Sequence, residues 1–279
     1  MDWIHLEGPV YWGLMVGVFL TVAIWESFLP RRKLSLSAER RWSRHGVMLV
    51  LTFAAMTLVL RISPVAAAAL SANRSGILSS PAVPLAIRFV ITVLLLDLLQ
   101  YGVHWCFHHV GFLWRIHEVH HSDPDFDVST AARFHPLEAL VTQGVVLAAI
   151  VLLSPPVSAV FVAEMLKVTL NFLEHANASL PEGLERTVRL VLITPDLHRI
   201  HHSEDEREQS SNLGQIFPWW DRLLGTYVER AAADDEQFAT GLKGFQNAAS
   251  IGVGFMLGEP FRRPAETQKG PAVRPGPST

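Results

Sequence analysis

The sequence predicts an all-α integral membrane protein: a helical bundle with about four membrane-entering regions, one of them a hairpin, and a histidine-rich helical cap on its cytoplasmic side. Of its 279 residues, 49% are hydrophobic and only 18% are charged, and the mean hydropathy is +0.26. Four stretches are long and apolar enough to enter a bilayer. Nine of the thirteen histidines fall into three short clusters: His104-x-x-x-His108-His109, His117-x-x-His120-His121 and His198-x-x-His201-His202.

The N-terminal part, residues 1–84, contains the first two predicted membrane helices. The first runs from about Val10 to Phe28. Because it lacks the basic start and the small-residue cleavage site of a signal peptide, we expect a retained helix. The second runs from about Gly46 to Arg61 and is expected to end around Pro64. A loop rich in Ser, Asn and Pro follows, from about Ser71 to Pro84.

The central part, residues 85–228, begins with the third helix and continues into a longer apolar region. The third helix covers about Leu85 to Val103. The region from Leu137 to Phe172 is too long for one span, and Pro155-Pro156 divides it into two apolar halves. Because the prolines interrupt helical hydrogen bonding, we expect a helical hairpin that enters the membrane and returns to the same side.

The distribution of basic residues predicts the orientation in the membrane. The loop from Ser71 to Pro84 holds only Arg74, whereas the first loop holds six basic residues: Arg31, Arg32, Lys33, Arg40, Arg41 and Arg44. By the positive-inside rule, the first loop is expected to be cytoplasmic and the N-terminus extracytoplasmic. Counting spans from there places all three histidine clusters on the cytoplasmic face.

The composition excludes several classes of protein. A net charge of −3 and a pI near 6.5 give no basis for nucleic-acid binding. The single cysteine, Cys106, rules out an intramolecular disulfide and a cysteine-based zinc site. No G-x-G-x-x-G motif and no cysteine set for a cytochrome or iron–sulfur centre is present. Residues 229–279 are a C-terminal segment that is expected to be disordered from about residue 260, where Pro, Gly and charged residues dominate.

The spacing within the histidine clusters predicts a metal site. Residues three or four apart lie on one face of a helix, so each cluster presents imidazoles on adjacent turns. Thr194-Pro195-Asp196 precedes the third cluster and is typical of a helix start. Neutral imidazole is the commonest protein ligand for transition metals. A structural zinc site needs four ligands, and the chain offers about twice as many, enough for two metal ions side by side.

A polar stripe runs along the end of the third helix. Its members, at steps of four, three and four, are Asp97, Tyr101, His104 and His108. Such a stripe is costly in a membrane unless it faces the protein interior or a metal. We therefore expect Asp97 to hydrogen-bond the far nitrogen of a ligating imidazole. Sharing the stripe favours His108 over His109 as a ligand.

Four histidines lie outside the clusters. His175 follows the hairpin, one turn after Asn171, and is favoured as a metal ligand. His135 lies where the hairpin begins, and both a ligand role and a hydrogen bond to a ligand are open for it. His5 and His45 are expected to be ordinary residues of the membrane interface.

These motifs resemble the fatty acid hydroxylase/sterol desaturase superfamily over about residues 85–227. The matching motifs are Asp97-x-x-x-Tyr101-x-x-His104-x-x-x-His108, His117-x-x-His120-His121, Arg133-x-His135-Pro136-x-Glu138, His175-x-Asn177, His198-x-x-His201-His202, Asn212-Leu213-Gly214 and Trp220-Asp221-Arg222-Leu223-Leu224-Gly225-Thr226-Tyr227. The resemblance implies nine metal ligands: His104, His108, His117, His120, His121, His175, His198, His201 and His202. Asn171 stands where some relatives carry another histidine and others an amide that reaches the metal through water.

The same resemblance implies a membrane-bound, non-haem di-iron enzyme that uses O2 to hydroxylate or desaturate a membrane lipid, such as a fatty acyl, sterol-like or ether lipid. Residues 85–228 would be its catalytic domain. The residues expected around the iron ligands are Asp97, Tyr101, His135 and Asn171. The lipid would enter from the bilayer, and a separate ferredoxin, cytochrome or reductase would supply electrons.

Two alternatives remain open at this point. A carotenoid hydroxylase is the alternative within the enzyme class. Outside it, the histidines could belong to a membrane protein that binds or transports metal ions without catalysis. Transport ligands are expected at mid-membrane depth, whereas these histidines follow the helix ends, which favours the enzyme.

Overall fold

The computed structural model describes residues 1–235 and 237–262, and within them all regular structure is helical. The α-helices are α1 (Trp3–Phe28), α2 (Ala38–Val59), α3 (Pro64–Ser71), α4 (Leu85–His109), α5 (Gly111–His121), α6 (Pro136–Leu153), α7 (Val157–Glu174), α8 (Glu182–Val188), α9 (Pro195–His201), α10 (Glu206–Gln209), α11 (Trp219–Leu224) and α12 (Val253–Gly258). Two short 3-10 helices span Val128–Ala132 and Glu259–Phe261. The described ranges contain no strand beyond one isolated bridge. The tail predicted to be disordered lies almost entirely outside them.

Four helical stretches are long and apolar enough to cross a membrane: α1, Ala38–Ser71 (which includes α2 and α3), α4 and α6. The predictions of an all-α fold and of four membrane-entering regions are therefore confirmed. Pro64 does not simply end the second region. It occupies the first turn of α3, where a missing N–H costs nothing, and the Ser63 hydroxyl caps that turn by accepting from the Ala66 N–H at 3.1 Å.

The predicted hairpin is present, and its two arms are α6 and α7. The chain reverses at Ser154, which adopts a left-handed conformation (φ 48°), and Pro155-Pro156 then keeps the helix from continuing. The arms pack mainly on different neighbours: α6 on α2 and α3, and α7 on α1 and α4. The hairpin is therefore open, with space between its arms.

The hydrophobic core of the bundle centres on α7. One cluster joins α7 to α3, α4 and α6 through residues such as Val65, Val93 and Ile150, and another joins it to α1 through Val22 and Phe172. Burial of these side chains holds α7 between α1 and α4. The C-terminal end of α7 is consequently fixed where α4 ends and where the cap begins.

The first loop is bound to the cap, which consists of residues 110–135 and 175–262. Arg31 pairs with Asp196, and the Asp125 carboxylate accepts from the Ser35 N–H at 2.8 Å. Arg41 is fully buried and pairs with Asp123 (2.6 Å) and with Asp127. Loop and cap thus lie on the same side of the bundle, as the span count predicts.

The expectation for His45 was wrong, because this residue is not at an interface. It follows Arg41 by one turn of α2 and is fully buried. Its Nδ1 lies 2.9 Å from the Ser129 hydroxyl, and its Nε2 accepts from the Arg133 guanidinium at 3.1 Å. His5, by contrast, is exposed on α1 and contacts Asp2, as expected of a surface residue.

Candidate metal centre

Nine buried histidines from α4, α5, the end of α7 and the α9 region converge in two groups, which we call the five-histidine group and the four-histidine group. The five-histidine group consists of His104, His108, His117, His121 and His201. The four-histidine group consists of His120, His175, His198 and His202. Within each group, one ring nitrogen of every residue lies within 4.8 Å of the others. These are the nine residues that the sequence predicted as ligands.

Helix geometry explains how the His-x-x-His-His motif serves both groups. His117 and His121 are four residues apart on one face of α5 and enter the five-histidine group. His120, rotated by about 100° from its neighbour His121, enters the four-histidine group instead. The adjacent pair His201 and His202 divides in the same way. Each motif therefore contributes to both groups, which brings them side by side.

The ring nitrogens are placed as metal ligands would be. Two imidazoles bound to one metal at about 2.1 Å and at right angles have nitrogens about 3 Å apart. The Nε2 atoms of His104 and His117 are 3.1 Å apart, as are those of His175 and His198. Other buried ring nitrogens have no hydrogen-bond partner in the described part of the chain, among them Nε2 of His108, His201 and His202. A pair of transition-metal ions fits this arrangement.

Burial also keeps the cap imidazoles in the protonation state that metal binding requires. Loss of water lowers the pKa of His175 to about 4, and it lowers the pKa well below 6.5 for a set of other cap histidines: His120, His121, His198, His201 and His202. Because a metal binds the neutral ring, these groups present free lone pairs at neutral pH.

Hydrogen bonds at the far nitrogen orient four of the rings. The Nδ1–H of His117 donates to a carboxylate oxygen of Glu138 at 2.7 Å, which leaves Nε2 free to face the five-histidine group. Backbone carbonyls accept from three further Nδ1–H groups, in the pairs His104–Leu213 (2.8 Å), His201–Ser211 (2.9 Å) and His175–Asn171 (2.6 Å). Glu138 was not among the predicted site residues, although its motif, two residues after His135-Pro136, was visible in the sequence.

Residues 89–226, which contain both histidine groups, match the model of the fatty acid hydroxylase family. The chain belongs to the fatty acid hydroxylase superfamily. Two curated relatives are an ornithine lipid hydroxylase of Rhizobium tropici, 30% identical over 144 residues, and the alkylglycerol monooxygenase of Homo sapiens, 29% identical over 146 residues. Each match covers 52% of this chain.

The matched segment spans less than half of these relatives. It covers 43% of the length of the ornithine lipid hydroxylase and 31% of the human alkylglycerol monooxygenase. The alkylglycerol monooxygenase of Danio rerio is 30% identical over 132 residues, which make up 28% of its length. No solved structure matches the chain.

Two residues of the hydroxylase segment have roles different from those expected. Asp97 does not contact an imidazole: its carboxylate accepts from the Ile216 N–H at 3.1 Å and from the Trp220 indole at 2.7 Å. The Tyr101 hydroxyl lies 2.9 Å from the Thr226 hydroxyl. Both residues precede His104 on α4. Residues 211–227 cross the helix there, and the N–H groups of this crossing segment need acceptors. Asp97 and Tyr101 hold this crossing segment in place.

His135 and His109 lie outside both histidine groups. The His135 Nδ1 accepts from the Leu137 N–H at 3.1 Å, so this side chain caps the start of α6. The ring of His109 stacks on Trp105 at a centroid distance of 4.1 Å. The preference for His108 over His109 agrees with the placement of His108 in the five-histidine group.

A cavity of about 30 Å³, roughly the space of one water molecule, adjoins the histidines. Its polar lining outside the two groups consists of Gln100, Glu138, Thr142, Asn171, Glu174 and Gln215. Glu174 is buried: one carboxylate oxygen lies 3.9 Å from the His198 Nε2, and the other has no hydrogen-bond partner in the described ranges. The Asn171 amide donates to the Ala131 carbonyl at 3.1 Å. Most of these polar residues also line a much larger cavity between α1, α2, α6 and α7.

Proposed function

We propose that this protein is a membrane-bound, non-haem di-iron enzyme that uses O2 to hydroxylate a membrane lipid. The observation that carries the proposal is the pairing of five and four buried imidazoles at the inner end of a cavity enclosed by membrane helices. Hydroxylation is preferred to desaturation because the curated relatives are named as a hydroxylase and as monooxygenases.

The five-histidine group would hold one iron and the four-histidine group the other. Bound there, the two irons would activate O2 and exchange the electrons that C–H oxidation requires. The four-histidine group has one ligand fewer, and Asn171, which lines the cavity beside it, is the proposed water-mediated contact. Imidazoles without any thiolate suit iron, copper or zinc, and iron is proposed because the family resemblance implies it.

The protein's own residues keep the reaction site ordered and nearly dry. Glu138 fixes the tautomer and direction of His117, and backbone carbonyls do the same for three other rings. The small cavity admits about one water molecule, so oxidising chemistry is shielded from solvent. This enclosure directs oxidation toward a substrate carbon held in the larger cavity.

The stoichiometry of hydroxylation requires an electron donor. Forming one hydroxyl group from O2 consumes two electrons and two protons and releases one water. Because the chain carries no motif for a flavin, haem or iron–sulfur cofactor, we propose that a separate ferredoxin, cytochrome or reductase donates the electrons. Its docking side would be the cytoplasmic face, where the first loop and the cap are proposed to lie, with the N-terminus on the opposite side.

The substrate class is proposed from the relatives and from the membrane setting. The names of the relatives concern an ornithine lipid and an alkylglycerol, both of which join an apolar chain to a polar group. A cavity bounded by α1, α2, α6 and α7 would receive such an amphiphile from the bilayer. We therefore place a membrane lipid, taken up laterally, as the substrate of this enzyme.

The test is oxygen incorporation by the purified full-length protein. The protein is loaded with Fe(II) in detergent, supplied with a ferredoxin and its reductase, and incubated with a bacterial polar lipid extract under ¹⁸O2. The expected result is a lipid that gains one ¹⁸O atom, together with about two irons per chain. His120→Ala and His201→Ala, one from each group, should lose both product and iron.

A matched control is His109→Ala, since His109 lies on the same helix end but outside both groups. This variant should keep iron and product. If His120→Ala and His201→Ala retain lipid oxidation, the enzyme proposal is wrong. If the native protein binds iron and the two histidine variants lose it, but no lipid is oxidised, the metal-binding alternative takes its place.

A further inference from the structure

A cavity of about 620 Å³ lies inside the helical bundle between the arms of the α6–α7 hairpin. Much of its wall is apolar, with Trp12, Met15, Phe53, Met56 and Phe172 among the lining residues. A cavity of this volume accommodates the polar part of a lipid together with a length of its chain. It leads to the small cavity at the histidines, because Gln100, Phe134, Glu138, Thr142, Asn171 and Gln215 line both.

The same cavity carries charged side chains between the helices of the bundle. The Lys167 ammonium lies 2.8 and 3.0 Å from the two carboxylate oxygens of Glu164, one turn earlier on α7. Glu7 of α1 accepts from the Ser63 hydroxyl at 2.5 Å. All four residues line the cavity, and Arg61 lies at its exposed rim.

Charged groups that face a mostly apolar cavity are costly unless they serve a function. A pure hydrocarbon in the cavity would remove water from Glu7, Glu164 and Lys167 and return no hydrogen bond to them. The charged lining residues are three acids (Glu7, Glu138 and Glu164) and two bases (Arg61 and Lys167), so the cavity has room for one further positive charge. The Lys167 ammonium has three N–H donors, and the Glu164 pair leaves at least one of them for an anionic acceptor.

The ion pair lies on the helix that leads to the four-histidine group. Lys167 precedes Asn171 by four residues, a rise of about 6 Å along α7, and it precedes His175 by eight residues, about 12 Å. A head group bound at Glu164 and Lys167 is therefore separated from the histidine groups by more than two turns of α7. The acyl chain would extend along the apolar wall of the cavity.

We infer that the cavity binds a lipid with a zwitterionic amino head group, in which Glu164 and Glu7 receive an ammonium and Lys167 receives a carboxylate. That the bound lipid is also the substrate rests on the proposed function, whereas the binding preference does not depend on it. The recognition elements are on α1 and α7, so the N-terminal helix takes part in specificity.

A binding experiment on the full-length protein tests the preference without turnover. The probes are N-palmitoyl-lysine, which keeps its side-chain ammonium and its carboxylate, and the same molecule with that amine acetylated and its carboxylate methylated. Binding is followed by tryptophan fluorescence, with Trp12→Phe to identify the signal from the cavity. We expect the zwitterionic probe to bind at least ten times more tightly than the neutral one.

The variants are Glu164→Gln, Lys167→Met and the double variant. Each should reduce the preference for the zwitterionic probe at least tenfold. The double variant keeps the test informative if a single change leaves a buried charge unpaired and the protein unfolds. The matched control is Thr169→Ala, on the same helix, whose hydroxyl donates within α7 to the Met165 carbonyl and does not line the cavity.

The outcomes separate this inference from the proposed function. Equal affinity for the two probes, or an unchanged preference in the double variant, would overturn the inference even if lipids are hydroxylated. A preference that depends on Glu164 and Lys167 supports it even if no oxidation is detected, in which case the proposed function is what fails.

Discussion

Replacing Arg41 by methionine tests whether the buried ion cluster holds the cap to the membrane bundle. Arg41 is fully buried on α2, and its guanidinium donates to both oxygens of Asp123 at 3.2 and 2.6 Å and to the Thr130 hydroxyl at 3.2 Å. It also pairs with Asp127. Methionine keeps most of the volume and removes the charge, so Asp123 and Asp127 would face each other uncompensated.

The expected loss of stability follows from the number of buried carboxylates that lose their counter-charge. Removing one partner of a buried ion pair costs about 3–5 kcal/mol. Because Arg41 serves two buried carboxylates, we expect the upper end, about 5 kcal/mol. At about 2 °C per kcal/mol for a chain of this size, the melting temperature in detergent should fall by about 10 °C.

The assay is thermal unfolding in one detergent, followed by intrinsic fluorescence, with Arg40→Met as the control. Arg40 precedes Arg41 on the same helix and is exposed, so its replacement changes the net charge equally without disturbing the cluster. Arg40→Met should shift the melting temperature by no more than about 1 °C. Equal melting temperatures for the two variants would refute the reasoning.

Three further predictions concern the metal centre and the cap. Glu138→Gln should weaken iron binding about ten- to a hundredfold in a chelator competition, since it disturbs the orientation of His117; unchanged affinity would deny that role. Removing the proposed iron with a chelator should lower the melting temperature, and re-addition should restore it, because the metal would bind only the folded state. Gly241→Ala should destabilise the protein more than Gly244→Ala in urea unfolding. Both positions have φ near +90°, but only at Gly241 would a Cβ lie 2.6 Å from the Asp123 carbonyl oxygen; equal losses would show that the contact relaxes.

The sequence predicted the helical architecture because hydrophobic length and proline position are local properties. The α6–α7 hairpin followed from an apolar stretch too long for one span, with Pro155-Pro156 near its middle. Spacing predicted that the histidine clusters form a metal site, since neighbours at three or four residues share a helix face, and the family resemblance implied the set of nine that the structure brings together. The division into five and four was not predicted, because it depends on how α4, α5, α7 and α9 are placed around each other.

The roles that sequence reasoning assigned wrongly depend on distant partners. Asp97 was expected to hydrogen-bond an imidazole. Its carboxylate oxygens instead accept from N–H groups of Ile216 and Trp220, which lie more than a hundred residues later in the sequence. His45 was predicted to be an ordinary interface residue because it lies outside every motif. Its partners Ser129 and Arg133 come after the third membrane helix in the sequence, whereas His45 comes before it. Spacing along one helix carries no information about such contacts.

The residues that attach the first loop to the cap are synthesised at different times. Arg41 is made with the second membrane helix, and its partner Asp123 is made 82 residues later. Until then Arg41 has no counter-ion, and a chain in which only one of the two intervening membrane helices had crossed would leave Arg41 on the far side of the bilayer from Asp123 and Asp127. Closure of the cap around the histidines therefore requires that both of these helices have crossed, whichever way the chain as a whole was inserted.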